Sequence, residues 1–347
     1  MTILGIETSC DETSAAVIKA NNDNEKVELV SNVVATSLSL HAQTGGIIPE
    51  VAAREQVKFI IPVIQEAIKV LKNPEKEIDA IAVTVGPGLI GSLLVGVETA
   101  RSMSYVWEKP LRPVNHLFGH IYANWIKSKE DAEIQFPAVA LIISGGHTDL
   151  VLMKNHRQIK WLGGTRDDAA GEAFDKTGRL LNLPYPAGPM IEKLAAGIEK
   201  DKYNFPRPMI ATDDFDFSFS GLKTAVLREV ERQRDPERSE GLTIEIVSNI
   251  CFSLQQAIFK VLIKKTFLAA EKFGAKSIVL GGGVAANQTL KKRFELEIKN
   301  LNSEVKLFVP ERKLCTDNAA MIAAAAFFNP VETDWRKISA NPELYFD

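Results

Sequence analysis

One short pattern occurs twice in this chain, and that repetition limits its fold more than any other feature. Ile3-Leu4-Gly5-Ile6-Glu7-Thr8-Ser9-Cys10-Asp11-Glu12-Thr13-Ser14-Ala15-Ala16-Val17-Ile18 sets two apolar strands around a polar turn, and Val139 to Leu152 repeats the arrangement around Ser144-Gly145-Gly146-His147. Apolar spacing of the helical kind runs through Glu50 to Leu71, Ser92 to Trp107, Ala169 to Leu181, Ile244 to Phe273 and Asn318 to Phe328. Strands alternating with helices predict an α/β chain, here built as an internal duplication. With 347 residues the expectation is two domains. A chain of this length buries a core without disulfides, and the odd, scattered set Cys10, Cys251 and Cys315 fits a reducing compartment.

Two segments invite a misreading. Ala80 to Val97 carries no charge over nearly a membrane-spanning length, but Gly86-Pro87-Gly88 interrupts it, which predicts a buried strand, a turn and a helix. The run Glu231 to Gly241 is dense in both charge signs and holds Pro236, so it reads as a solvated loop. The start, Met1 to Glu7, lacks the basic and apolar regions of a secretory signal, so a cytoplasmic protein outside the membrane is expected. Lys and Arg number 41 against 44 Asp and Glu, a net charge of −3, so no global basic field announces a nucleic-acid partner.

The chemistry-bearing residues are few. In Asn115-His116-Leu117-Phe118-Gly119-His120, Asn115 can cap a helix whose one face carries both histidines at i and i+4. Metal ligation and an ordinary helix face both fit that spacing. A zinc peptidase is disfavoured, because Leu117 and Phe118 stand where the His-Glu-x-x-His motif needs its general base. Asp317, at the mouth of the Ala-rich segment, is either a third ligand or a plain N-cap. Two imidazoles and one carboxylate leave coordination positions open, which suits Fe(II) or Zn(II). Gly281-Gly282-Gly283 after an apolar strand, and Ser144-Gly145-Gly146 in the second hairpin, can offer backbone N–H groups to an anion, whereas Gly86 to Gly91 reads as a packing turn. Asp168, Glu172 and Asp175 share one helical face, and Asp11-Glu12 sits in the first hairpin turn; each set is either functional or merely solvated. Phe215, Phe217 and Phe219 lie in a loop leading to a helix and can equally be core.

Taken together, Gly5 to Thr13, His41 with Gly45 to Glu50, Gly86 to Leu89, the histidine pair, Ser144 to Thr148, Phe217 to Thr224, the triple glycine and Cys315 to Asn318 resemble the tRNA N6-adenosine threonylcarbamoyltransferase family, nearly end to end and closest to its bacterial type. Some of that family was once labelled a glycoprotein endopeptidase. The resemblance implies the duplicated ribonuclease-H-like fold of actin, sugar kinases and heat-shock ATPases, with a central cleft; the lobes would be residues 1–134 plus 317–347, and 135–316. It implies one divalent metal on His116, His120 and Asp317, and threonylcarbamoyl-AMP as donor, contacted by Ile142, Ile143, Ser144, Gly145, Gly146, Asp175, Gly188 and Asn287. The group would pass to N6 of adenine 37 in tRNAs reading codons that start with A, with Asp11 or Glu12 taking the amine proton. Lys264-Lys265 and Lys291-Lys292-Arg293 are candidate tRNA contacts or solvated helix faces; a related inactive paralogue and a small ATPase are the implied protein partners. The competing readings are an ATP-dependent phosphotransferase of the same superfamily and a non-catalytic scaffold. The chain departs from the family pattern at Phe118, where bacterial relatives commonly carry Glu, and at Gln56, where they commonly carry His.

Overall fold

The computed structural model describes residues 1–21, 26–37, 47–127, 133–233, 242–301, 304–331 and 333–346. His41, Gly45 and Gly46, and residues 234–241 of the charged run, lie outside the described residues. By packing the chain divides into two units, Met1–Glu133 with Pro310–Asp347, and Ile134–Val309. Pro310 to Thr316 groups with the first unit, and within it Arg312–Cys315 is a turn of helix whose Cys315 thiol donates to the carbonyls of Pro310 and Glu311.

In the first unit, β1 (Thr2–Glu7), β2 (Glu12–Lys19), β3 (Glu28–Thr36), β4 (Ala80–Gly86) and β5 (Leu111–Asn115) form one sheet in the order β3-β2-β1-β4-β5. β1 pairs antiparallel with β2 and parallel with β4. Helices cover both faces, so the central strands read as continuous apolar runs rather than alternating ones. Leu4 and Ile6 join Ile60, Val63 and Ile64 of the helix Pro49–Ile68 and Val97 of the helix Ile90–Trp107. On the other face Gly5 lies against the alanine helix Ala319–Phe328: a Cβ there would stand 2.2 Å from Ala319 O, so only glycine permits this approach. The uncharged stretch from Ala80 splits into β4 and a helix, as its Gly-Pro-Gly turn predicts.

The second unit repeats the plan. β6 (Ala138–Ile143), β7 (Thr148–Asn155), β8 (Gln158–Gly164), β9 (Ser277–Gly281) and β10 (Lys306–Phe308) run in the order β10-β9-β6-β7-β8. Here β6 takes the place of β1: antiparallel to β7, parallel to β9. Both sheets therefore share one strand order and one pattern of directions, the duplicated ribonuclease-H-like α/β fold. The core of this unit is organised by the helix Ile244–Phe273, which packs with Phe174, Phe217, Phe219 and Ile191. That helix is long and apolar enough to cross a membrane, yet 67% of its most apolar window is buried inside the protein, as a core helix requires.

Candidate metal centre and glycine turns

The histidine helix, His116–Tyr122, starts where β5 ends, and Asn115 caps it by accepting from Leu117 N at 2.8 Å. Gly119, between the two histidines, lets the alanine helix come close: a Cβ at Gly119 would stand 2.7 Å from Ile322 Cδ1. The cap of the alanine helix is Asn318, whose side chain accepts from Met321 N, and not Asp317. Released from capping, Asp317 turns its carboxylate to the histidines, with Oδ1 3.5 Å from His116 Nε2 and 3.4 Å from His120 Nε2. One ligand atom from each of His116, His120 and Asp317 lies within 4.8 Å of the others.

Behind His116 stands a carboxylate that sequence reasoning missed. Glu7 Oε2 is 3.1 Å from His116 Nδ1 and accepts from Thr84 Oγ1 at 2.6 Å, while Glu7 Oε1 accepts from Ser9 N at 2.5 Å. Ser9 Oγ also lies 3.1 Å from His116 Nδ1. With Nδ1 held this way, Nε2 is the nitrogen that faces Asp317, the arrangement by which a carboxylate orients a metal-bound imidazole. A signal was available: Glu7 closes an otherwise apolar, buried strand, and a buried carboxylate needs a partner.

The donor set passes a test of fit. Both ring nitrogens of His120 are buried, and among the described residues the one polar group paired with them is Asp317, whose Oδ1 lies 3.4 Å from Nε2. Leaving a buried polar group poorly paired costs about 1–3 kcal/mol, and a cation between the three side chains would remove that cost at Nε2. Burial, joined by the charge of His116, lowers the His120 pKa. Burial opposes charge on His116 too, but the carboxylates of Asp317 and Glu7 outweigh it and raise its pKa to about 9. The positive end of the helix at its N-terminus disfavours charge on both rings, yet with these two acids beside it His116 holds its proton when no metal is bound. A metal ion entering here displaces its proton.

Asp11 and Glu12 ride on the turn between β1 and β2. Burial, reinforced by the charges of Asp317 and Asp11, pushes the Glu12 carboxyl up to about 10. The bland reading of a solvated Glu12 therefore fails. Gly88 abuts this turn, where a Cβ would stand 2.4 Å from Ser9 O, and Leu89 N donates to the same carbonyl at 2.8 Å.

The second unit gathers the remaining candidates. Ser144 N donates to His147 O and His147 N to Ser144 Oγ, closing the turn around Gly145 and Gly146, which are exposed with open space where side chains would be. Gly171 and Gly282 make room for that turn, since added Cβ atoms would stand 2.5 Å from Ser144 O and 2.4 Å from Ile143 O. Ile142 and Ile143 are fully buried, so they carry the turn and present no surface of their own. Asp175 Oδ1 accepts from Ala187 N at 2.7 Å, which brings it beside Gly188, and burial raises its carboxyl to about 6. Asn287 caps Gln288–Asn300 through Leu290 N and donates to Gln255 Oε1.

Several expectations change. Asp168 and Glu172 both pair with Lys176, at 2.6 and 3.0 Å, so they do not act with Asp175 as one carboxylate face. Lys265 is buried, and its Nζ donates to Thr212 Oγ1, Asp214 O and Asp214 Oδ1 at 2.7 to 2.8 Å; Arg293 donates to Gln256 Oε1. Lys265 is therefore withdrawn from any tRNA contact, whereas Arg293 is half-buried and Lys264 and Lys292 are exposed. Phe215, Phe217 and Phe219 are core. Phe118 packs on Phe346, ring centroids 5.6 Å apart, and Asn115 Nδ2 donates to Tyr345 O, so the C-terminal segment braces the histidine helix.

With this geometry in place, comparison with known proteins is informative. The sequence profile of the family described as TsaD, tRNA N6-adenosine threonylcarbamoyltransferase, matches residues 28–324. Proteins called tRNA N6-adenosine threonylcarbamoyltransferase from Staphylococcus carnosus and Thermomicrobium roseum are 46% and 48% identical to this chain, covering 94% of it in both cases and 90% and 92% of themselves. One from Moorella thermoacetica is 44% identical over 99% of this chain and 96% of its own. Among solved structures, HypF from T. kodakarensis superposes with a TM-score of 0.59 at 16% identity, over 94% of this chain. The chain spans 47% of HypF, and the likeness concerns the fold alone.

Proposed function

The chain belongs to the tRNA N6-adenosine threonylcarbamoyltransferase family, and from that premise we propose that it moves the threonylcarbamoyl group of threonylcarbamoyl-AMP to N6 of adenine 37 in tRNAs reading codons that begin with A. The observation that carries this reading is the triad His116, His120 and Asp317 with Glu7 behind it. His116, His120 and Asp317 would hold Fe2+ or Zn2+, which would supply Lewis-acid chemistry for the transfer. The adenine amine attacks the carbamoyl carbon, the bond from that carbon to the phosphate oxygen breaks, and AMP leaves with the electron pair. Asp11 or Glu12, neighbours at the turn that leads into β2, takes the amine proton. In the second unit, backbone N–H groups of the Ser144–Gly146 turn and the start of Gly283–Ala286 receive the phosphate, while Asp175, Gly188 and Asn287 receive the nucleoside.

The protein works on tRNA in the cytoplasm and with help. A net charge of −3, with Lys265 buried in the fold, offers no global basic field to hold an anticodon stem, and the family resemblance implies a related inactive paralogue and a small ATPase as the partners that help position it. The target base is reached in a loop, where it can be splayed from its neighbours. A phosphotransferase reading shares the fold but offers no use for the two histidines.

The test is incubation of the chain and its partners with labelled threonylcarbamoyl-AMP and tRNA, followed by digestion to nucleosides. Label on adenosine supports the reading. The double variant His116→Ala, His120→Ala is expected to lose both metal and transfer; retention of both overturns the site.

A further inference from the structure

The turn between β1 and β2 is held at every carbonyl from Thr8 to Glu12. Leu89 N donates to Ser9 O, and Ser37 donates to Asp11 O through both its N and its Oγ. The other three carbonyls converge on one side chain: Gln56 Nε2, from the helix Pro49–Ile68, lies 3.3 Å from Thr8 O, 3.0 Å from Cys10 O and 3.0 Å from Glu12 O. An amide nitrogen has two hydrogens, so three acceptors share them. The orientation is determined, because a flipped amide would set Oε1 against three carbonyl oxygens. Gln56 is 1% exposed and its Oε1 has no partner among the described residues, so this residue braces the turn through its Nε2 alone. The turn carries Ser9, bonded to His116, together with Asp11 and Glu12.

We propose that Gln56 is a positioning residue for group transfer, setting the Thr8–Glu12 turn so that Asp11, Glu12 and the Ser9 hydroxyl stand correctly against His116. The proposal rests on the functional reading above and adds a residue to it. Gln56 touches neither the ligand triad nor any reacting atom; it acts through the backbone that presents them.

Two variants separate this role from plain stability. Gln56→Met keeps the length and removes the donor; Gln56→His keeps one N–H at similar reach. Cys10 lies on the turn and is half-buried, while Cys251 and Cys315 are buried, so modification by a thiol reagent such as dithionitrobenzoate reads the turn without reference to activity. In Gln56→Met, Cys10 is expected to react about tenfold faster, with the other two thiols still protected. Its kcat for label transfer is expected to fall about 10- to 100-fold, with KM for tRNA within about twofold and bound metal unchanged. Gln56→His is expected to recover much of both losses. If Gln56→Met does not fold, Gln56→Asn, one methylene shorter, takes its place with the same expected order. A Cys10 rate equal to wild type overturns the bracing, and a faster rate with unchanged kcat overturns the role in transfer. Should the wild-type protein itself move no label onto adenosine, the functional reading falls and the role in transfer with it, while the Cys10 rate still decides the bracing.

Discussion

His116 is held between two acids: Glu7 Oε2 stands 3.1 Å from its Nδ1, and Asp317 Oδ1 stands 3.5 Å from its Nε2. Glu7→Gln keeps the shape and removes the charge that orients the ring. Zinc affinity is expected to weaken about 10- to 100-fold, as loss of such an orienting partner does at other sites, measured by competition with a chelating dye. Unchanged affinity would show that His116 needs no carboxylate behind it.

The same pair makes stability depend on pH in the metal-free protein. His116 is raised from 6.5 to about 9, so its contribution is complete below about 6.5 and is lost as pH rises through 9. Glu12, raised to about 10, acts in the same direction, since the folded chain keeps a proton there that the unfolded chain releases above about 4.5. Glu7 is lowered: burial resists this, but His116 prevails, so its contribution is lost only as pH falls through its folded value. The melting temperature of chelator-treated protein is therefore expected to fall between pH 6.5 and 9, and Glu12→Gln to flatten that slope. Saturating zinc should remove the part due to His116, because the metal takes the place of its proton. A melting temperature that rises over this range would contradict the assignment.

Asn318 caps the alanine helix and leaves Asp317 to the histidines. Asn318→Ala is expected to cost about 1–2 kcal/mol of stability in urea unfolding. It should also weaken zinc binding, since its amide donates to Leu314 O and Thr316 O on the segment that delivers Asp317. Loss of stability without loss of affinity would separate the cap from the ligand.

Phe118 and Phe346 pack with tilted rings, centroids 5.6 Å apart, tying the histidine helix to the C-terminal segment. A double-mutant cycle with Phe118→Ala and Phe346→Ala is expected to give a coupling energy of about 0.5–1.5 kcal/mol. A cycle that closes at zero would mean that the two rings act independently.

Much of this architecture is readable from the residues, for physical reasons. β1, β2, β6 and β7 are buried on both faces and stand out as apolar runs around polar turns, which is how the duplication shows itself. β3 and β8 are edge strands, half-exposed and rich in polar residues, so nothing in Glu28–Thr36 or Gln158–Gly164 marks them as the third strand of each sheet. The histidine pair is legible because i and i+4 share a helix face whatever the fold. Asp317 and Glu7 reach that face only through the sheet and the alanine helix, so their partnership is a tertiary fact. Lys265 misleads for the same reason: beside Lys264 it looks like a solvated cation, and only the path of residues 212–214 reveals it as a buried clamp.

Gly5 exists as glycine because the alanine helix rests directly on β1. During synthesis, His120 leaves the ribosome about 200 residues before Asp317, and at ~5–20 residues per second the interval is about 10–40 s. Throughout that time one face of the first strand has no cover and the histidines lack their acid. A cation on this triad would thus be held only weakly until the alanine helix docks, so its loading would come late in the life of each molecule, and a product truncated before Asp317 would lack one of the three ligands.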